Sequence, residues 1–147
     1  METNGYWREE SALRAVELSL ISGGNIKFDL ITWDENLSKA LCGVSNRPAL
    51  QSFKTIGEGF IKKRPELPIL TASTLPVPGY VEVEEVGNLS SFIAEIDLLI
   101  PYTLLAFYPH YILSDLPTTS RELAYQCCDA AKKHLRNVRI GNIHLLS

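Results

Sequence analysis

Strand-length apolar runs alternate with longer stretches of helical spacing along the 147 residues, and that alternation leaves few folds open. Helix, strand, helix, strand, repeated to the end, is the pattern of right-handed crossover units around a parallel sheet. The clearest strand spans 26–31. After the Gly23-Gly24 break, Ile26, Phe28 and Leu30 alternate with Lys27, Asp29 and Ile31 at a period of two, ahead of a loop over 32–36. One side of that strand is apolar and the other carries charge. Helices are therefore expected over the first side, with Lys27 and Asp29 pointing away from them. Ligands of α/β folds bind at the carboxyl ends of strands, so Asp29 and the loop after it are the first place to look for function.

The remaining segments read in order. A helix over 8–22 carries Leu13, Val16 and Leu20 inside and Glu9, Glu10 and Arg14 outside, and Gly23-Gly24 stops it. A short helix fits 35–42. Asn46 or Ser45 caps the next one, Pro48 is tolerated in its first turn, and Leu50, Phe53, Ile56 and Phe60 form its stripe. Gly57 and Gly59 weaken it and Pro65 ends it. The second strand, 69–75, sets Ile69, Thr71, Ser73 and Leu75 against Leu70, Ala72 and Thr74, and Pro76-Val77-Pro78-Gly79 follows as a rigid turn. Val83, Val86, Leu89, Phe92, Ile93 and Ile96 mark a helix. A strand over 102–108 and a loop over 109–117 come next. Thr119 with Glu122 fits a capping box opening a helix through Leu135, and 138–146 reads as a closing strand with a bend at Gly141-Asn142.

Composition narrows the functional classes. The length suits one α/β domain over 1–147, and the net charge of −3 with a pI near 5.6 gives no basic footprint for nucleic acid. Lys62-Lys63-Arg64 reads as a solvated helix end where cations suit the dipole. No apolar run approaches the roughly 20 residues that span a bilayer, and Met1-Glu2-Thr3-Asn4 is no signal peptide, so no membrane is implicated and a cytoplasmic location is expected. Cys42 stands alone, and Cys127 and Cys128 are helix neighbours pointing about 100 degrees apart. No metal-ligand spacing is present, and these thiols read as core or half-exposed residues.

A site is suggested by the strand faces. If Ile26, Phe28, Leu30, then Leu70, Ala72, Thr74, then Thr103, Leu105, Phe107 face the helices, the other side gathers Lys27, Asp29, Ile31, Thr71, Ser73, Leu104, Ala106 and Tyr108. Small and polar groups collect there, as a ligand cavity requires. A one-residue slip would invert any of these faces, and Lys27 with Asp29 serves equally well as a structural ion pair. His110, just past a strand end, invites a catalytic role, but it has no evident nucleophile beside it; a loop histidine packed on aromatics is the commoner arrangement.

Five short strings then fall in a recognisable order and spacing: Glu2-Thr3-Asn4-Gly5; Phe28-Asp29-Leu30 with Trp33-Asp34-Glu35; Gly43-Val44-Ser45-Asn46; Val77-Pro78-Gly79-Tyr80; and Leu104-Leu105-Ala106-Phe107-Tyr108. Over nearly its whole length the chain resembles the carboxy-terminal part of a radical S-adenosylmethionine enzyme of the pyruvate formate-lyase activating enzyme group. The resemblance implies a partial parallel β/α barrel, a half barrel of radical-SAM type lacking the first strands. In such enzymes three cysteines hold a [4Fe-4S] cluster, S-adenosylmethionine binds its open iron, and the radical formed takes hydrogen from a glycine of a partner protein. Their Cys-x-x-x-Cys-x-x-Cys loop is implied to lie before Met1.

The departures matter as much. The lysine of the family's Asp-x-Lys is Ile31 here, its arginine is Ser73, and its cofactor-side histidine is Tyr108. The resemblance therefore implies an inner-face site of Glu2, Asn4, Asp29, Ser73 and Tyr108, with no catalytic or metal-binding residue and no cofactor expected in this chain alone. The leading expectation is a scaffold or remnant that binds a small molecule or a protein. The alternative is a subunit of a split glycyl-radical-activating enzyme completed by a separate chain with the cysteine motif. Either way Ile31, Leu75 and Leu104 are expected to leave an apolar inner wall bare, which predicts a homo-dimer or a partner chain completing the barrel.

Overall fold

The computed structural model describes residues 1–147. Five parallel strands form one sheet in the order of the chain: β1 (Glu2–Thr3), β2 (Ile26–Asp29), β3 (Leu70–Thr74), β4 (Tyr102–Leu105) and β5 (Val138–Gly141). The helices are α1 (Glu9–Ser22), α2 (Glu35–Cys42), α3 (Arg47–Phe60), α4 (Val83–Ile96) and α5 (Arg121–Lys132). Each crossover moves one strand further in the same direction, and α1 packs on α3, α3 on α4 and α4 on α5, so the helices make one layer along one face. The other face stays uncovered. This is the expected partial β/α barrel, an arc of parallel strands with its helices outside. No helix is long and apolar enough to cross a membrane.

Phe28 is the hub of the covered side. It lies fully buried, edge-on to Trp7 at 5.6 Å and to Phe53 at 5.3 Å between ring centroids, the T-shaped geometry that aromatic quadrupoles favour. Ile26, Leu30, Leu70 and Ala72 share its face, as the period of two requires. Gly5, in the turn after β1, sits where a Cβ would meet the Ala49 backbone at 2.8 Å and the Phe28 ring at 3.0 Å, with φ at +81°. Only glycine fits there, which accounts for its place in the Glu2-Thr3-Asn4-Gly5 string.

β4 corrects the expected faces. Its register pairs Tyr102 with Ala72 and Leu104 with Thr74, so Tyr102 and Leu104 face the helices while Thr103 and Leu105 look out with Ser73. Both inward residues are fully buried. Tyrosine tolerates the core because its hydroxyl donates to Thr74 Oγ1 (2.8 Å), which in turn donates to the Leu30 carbonyl (2.6 Å). The expected bare wall accordingly loses Leu104. The strand stops at Leu105 rather than running to 108, so parity no longer applies beyond it; Ala106, expected on the open side, is buried, and Phe107 joins the core as expected.

Other differences are local. β1 is a two-residue strand, too short to show a period. In α1 the buried positions are Ala12, Val16 and Ser19, with Leu13 more than a third exposed. The cap of α5 is Ser120, whose hydroxyl accepts from Leu123 N (3.1 Å). Thr119 instead accepts from Phe107 N (2.7 Å) and donates to the Pro76 carbonyl (2.8 Å). α5 ends at Lys132, and β5 ends at Gly141 because Asn142 turns left-handed (φ 51°) into a 3-10 turn. Arg64 is buried, not solvated: its guanidinium donates to Ser19 O (2.8 Å), Leu67 O (3.0 Å) and Gly24 O, so it closes the carbonyl end of α1 from the side.

The two helix glycines of α3 have opposite meanings. A Cβ at Gly57 would lie 2.5 Å from Cγ2 of Ile96, a β-branched methyl with little freedom to move, where α3 approaches α4; a Cβ at Gly59 meets nothing within 4 Å. Gly59→Ala is expected to stabilise the protein by about 0.5–1 kcal/mol through helix propensity. Gly57→Ala should instead destabilise it by about 1–3 kcal/mol through overpacking. Urea denaturation of both variants checks the opposite signs.

Candidate functional site

The open face of the sheet carries two rows of side chains set by the strand register. The lower row runs Glu2, Lys27, Thr71 across β1, β2 and β3. The upper row runs Asp29, Ser73, Thr103, Arg139 across β2 to β5. Parallel partners point to the same side, so seven polar residues share a surface that no helix covers. Leu105 and Gly141 stand above them, and a Cβ at Gly141 would meet Leu105 Cδ2 at 2.9 Å.

Charge is concentrated at the β1–β3 side. Lys27 Nζ lies 2.8 Å from Glu2 Oε1 and 3.7 Å from Asp29 Oδ1, and Ser73 Oγ donates to the same Asp29 oxygen at 2.5 Å. The serine is completely buried, whereas the aspartate side chain keeps about a third of its surface, 34%, in solvent. Lys27 holds the Glu2 carboxyl below its ordinary value, by hydrogen bond first and charge second. The bond to Glu2 raises Lys27 in return, against the burial that lowers it. Lys27 thus neutralises one carboxylate directly and stands near a second, leaving Asp29 Oδ2 at the carboxyl end of β2 as an acceptor with no protein partner.

Three of the residues singled out from the sequence, Glu2, Asp29 and Ser73, come together here with Lys27. Asn4 lies in the turn after β1, where its Oδ1 accepts from Tyr6 N (3.2 Å). Tyr108 lies beyond the end of β4, half exposed, with its ring 5.0 Å from that of His110. His110 is a loop histidine among aromatics, its ring also 6.3 Å from that of Tyr111. Tyr111 and Ile112 are 95% and 94% exposed, and Tyr111 has φ at 53°, unusual for a bulky residue.

Polar ties set the loops at the carboxyl ends of the strands. Asn46 caps nothing with its side chain; its Nδ2 donates to Thr32 O (2.9 Å) and Trp33 O (2.7 Å). The Glu85 carboxylate accepts from Trp33 N (2.6 Å) and Asp34 N (3.2 Å), binding the same loop to α4. Thr119 joins the ends of β3 and β4 through Pro76 and Phe107. Sequence reasoning passed over Glu85, because a glutamate in a helical first turn has a sufficient local explanation in the dipole. It also passed over Arg139, whose Nε donates to Thr103 Oγ1 (3.0 Å), because the slip in β4 hid the row they share.

The thiols do not fit an iron–sulfur cluster. Cys127 and Cys128 are buried side by side in α5, and burial, helped by Glu82, pushes the Cys127 thiol up to about 12, far from the thiolate that metals bind. Cys42 is on α2, and no group of three or more His, Cys, Asp or Glu side chains is placed to hold a metal.

No protein-family model and no curated protein matches the chain. Among solved structures it is similar to a crystal structure of a domain of pyruvate-formate lyase-activating enzyme from Bacteroides vulgatus ATCC 8482, with a TM-score of 0.72 over 96% of this chain and 79% of that one, at 17% sequence identity. At that identity the likeness establishes the fold.

The Glu2–Lys27 pair gives a direct test of the cluster. Glu2 is lowered below 4.5 and Lys27 raised above 10.5, so the pair's contribution to stability is complete between those values. It fades as pH falls through the Glu2 midpoint or rises through that of Lys27. Lys27→Met is expected to return the Glu2 midpoint to the ordinary carboxylate range. Carbon-detected NMR titration of the side-chain carboxyl measures it, and an unchanged midpoint in the variant would break the assignment.

Proposed function

We propose that this chain is a half barrel of the pyruvate formate-lyase activating enzyme type that binds a small polar molecule on its open face and performs no radical chemistry by itself. The observation that carries the reading is the cluster of Glu2, Lys27, Asp29 and Ser73 on the uncovered face, with Asp29 at the carboxyl end of β2. The similar fold of an activating-enzyme domain supports the family, and the donor set of this chain, which offers no cluster ligands, supports the absence of radical chemistry. S-adenosylmethionine is the natural probe. When bound in an active relative it supplies the radical; here Asp29 and Ser73 would hold an amine or hydroxyl group by hydrogen bonds, with Ile31 in place of a family cation.

A second reading is favoured by Tyr111 and Ile112, which stand bare in the loop after β4. In it the chain is a subunit of a split activating enzyme, and this loop docks on a chain that carries the cysteine motif or on a second copy.

Anaerobic reconstitution with iron and sulfide, followed by calorimetric titration with S-adenosylmethionine, separates the readings. The expected outcome is no stoichiometric cluster absorbance, together with saturable binding that Asp29→Asn weakens about tenfold or more. Stoichiometric cluster absorbance overturns the proposal. Light scattering that finds only compact monomer at micromolar concentration removes the second-copy form of the docking reading.

A further inference from the structure

At the opposite end of the open face, where β3, β4 and β5 begin, lies a cleft of about 520 Å³ lined by Thr71, Pro101, Arg136, Asn137, Val138 and Arg139 among others. It contains two arginines and no acid. Neither guanidinium lies within 4.0 Å of any carboxylate in the protein. Arg139 spends only Nε, on Thr103 Oγ1 at 3.0 Å, and its terminal nitrogens have no protein acceptor; the Arg136 side chain makes no hydrogen bond at all. The segment around them, Lys132-Lys133-His134-Leu135-Arg136-Asn137-Val138-Arg139, holds four cations and no acid in a chain whose net charge is −3.

We infer that this cleft is an anion site that takes the phosphate of a small phosphomonoester between Arg136 and Arg139. A guanidinium presents paired donors in a fixed fork that matches oxyanions, and Arg139 is already held in place through its Nε bond. Charge selects among oxyanions: a phosphomonoester carries about −1.5 to −2 at pH 7, which two guanidiniums neutralise, whereas one carboxylate would leave a cation over. The volume falls within the roughly 300–1,000 Å³ of small-molecule sites, so an organic body has room beside Pro101 and Val138. Protection of the β5 edge against unwanted pairing would account for a charge on the strand itself. It does not account for Arg136, which precedes the strand and lines the same cleft.

The inference is independent of the proposed function, since Asp29 and Ser73 do not line this cleft. The test is an amide NMR titration of the full chain with inorganic phosphate and with phenyl phosphate, ionic strength being held constant with chloride, and with benzoate as the carboxylate arm. Saturable shifts are expected at Thr71, Asn137, Val138 and Arg139. Arg136→Gln and Arg139→Gln should each weaken phenyl phosphate about tenfold or more, and Asp29→Asn should leave its affinity unchanged. Affinity should also fall between about pH 7.5 and about pH 5.5, because the second phosphate ionisation lies near 6 while arginine stays charged. Shifts that never saturate, an affinity for phenyl phosphate left unchanged by the arginine substitutions, or benzoate binding as tightly as phenyl phosphate would overturn the inference. Should Arg139→Gln disturb the edge strand, Arg136→Gln, on an exposed residue outside it, carries the test alone.

Discussion

Everything in this molecule follows from the sheet being covered on one side only. Strand order equal to chain order, with crossovers of one hand, sends every helix to the same face. The covered face must then be apolar at every second position, and it is: Ile26 and Phe28, Leu70 and Ala72, Tyr102 and Leu104 all lie in the buried cluster. Each of the large apolar side chains among them contributes about 1.5–3 kcal/mol by leaving water, so the register of three adjacent strands is fixed many times over. A slip of one residue would drive Lys27, Asp29 and Ser73 into the helix layer, and that cost is what holds them on the open face.

The polar groups that do enter the interior are paired without exception among buried side-chain atoms. Their partners are chiefly backbone carbonyls and amides at the ends of elements. Tyr102 and Thr74 hand a hydrogen bond across β4, β3 and β2; Thr119, Asn46 and Arg64 each join segments far apart in the chain. Such residues confer definition more than stability, because removing one partner exposes the full desolvation cost of the other. Thr119 and Asn46 fix the loops at the carboxyl ends of the strands, beside the site cluster, and Arg64 ties together the segments that lead into β2 and β3.

What could be read from the sequence was whatever repeats. The period of two in 26–31 and 69–75 and the spacing of α4 each have several residues voting for the same face, so helix order, strand order and the company of Asp29 and Ser73 were legible. β4 was not, because its informative residue is a tyrosine, a side chain that suits core and surface equally until its hydroxyl finds a partner. Thr119 and Asn46 were legible as polar residues before helices but not as cross-ties, since a cap is a local matter and a tie to Pro76 or Thr32 depends on the completed fold. Arg64 belongs to the same class: a basic residue after a helix reads as solvated until the end of α1 arrives beside it.

The open face is also electrically divided. Along the row Asp29, Ser73, Thr103, Arg139 the anion stands on β2 and the free cation on β5, three strand spacings apart, or about 14 Å. At that separation two unit charges interact by only about 0.3 kcal/mol in water. Salt at physiological strength screens even that, since the Debye length is about 8 Å. The hydroxyls of Ser73 and Thr103 are each committed to the nearer charge, so no hydrogen-bonded chain links the two ends. Asp29 and Arg139 are therefore electrically independent on one surface: substitution at one leaves the field at the other nearly untouched.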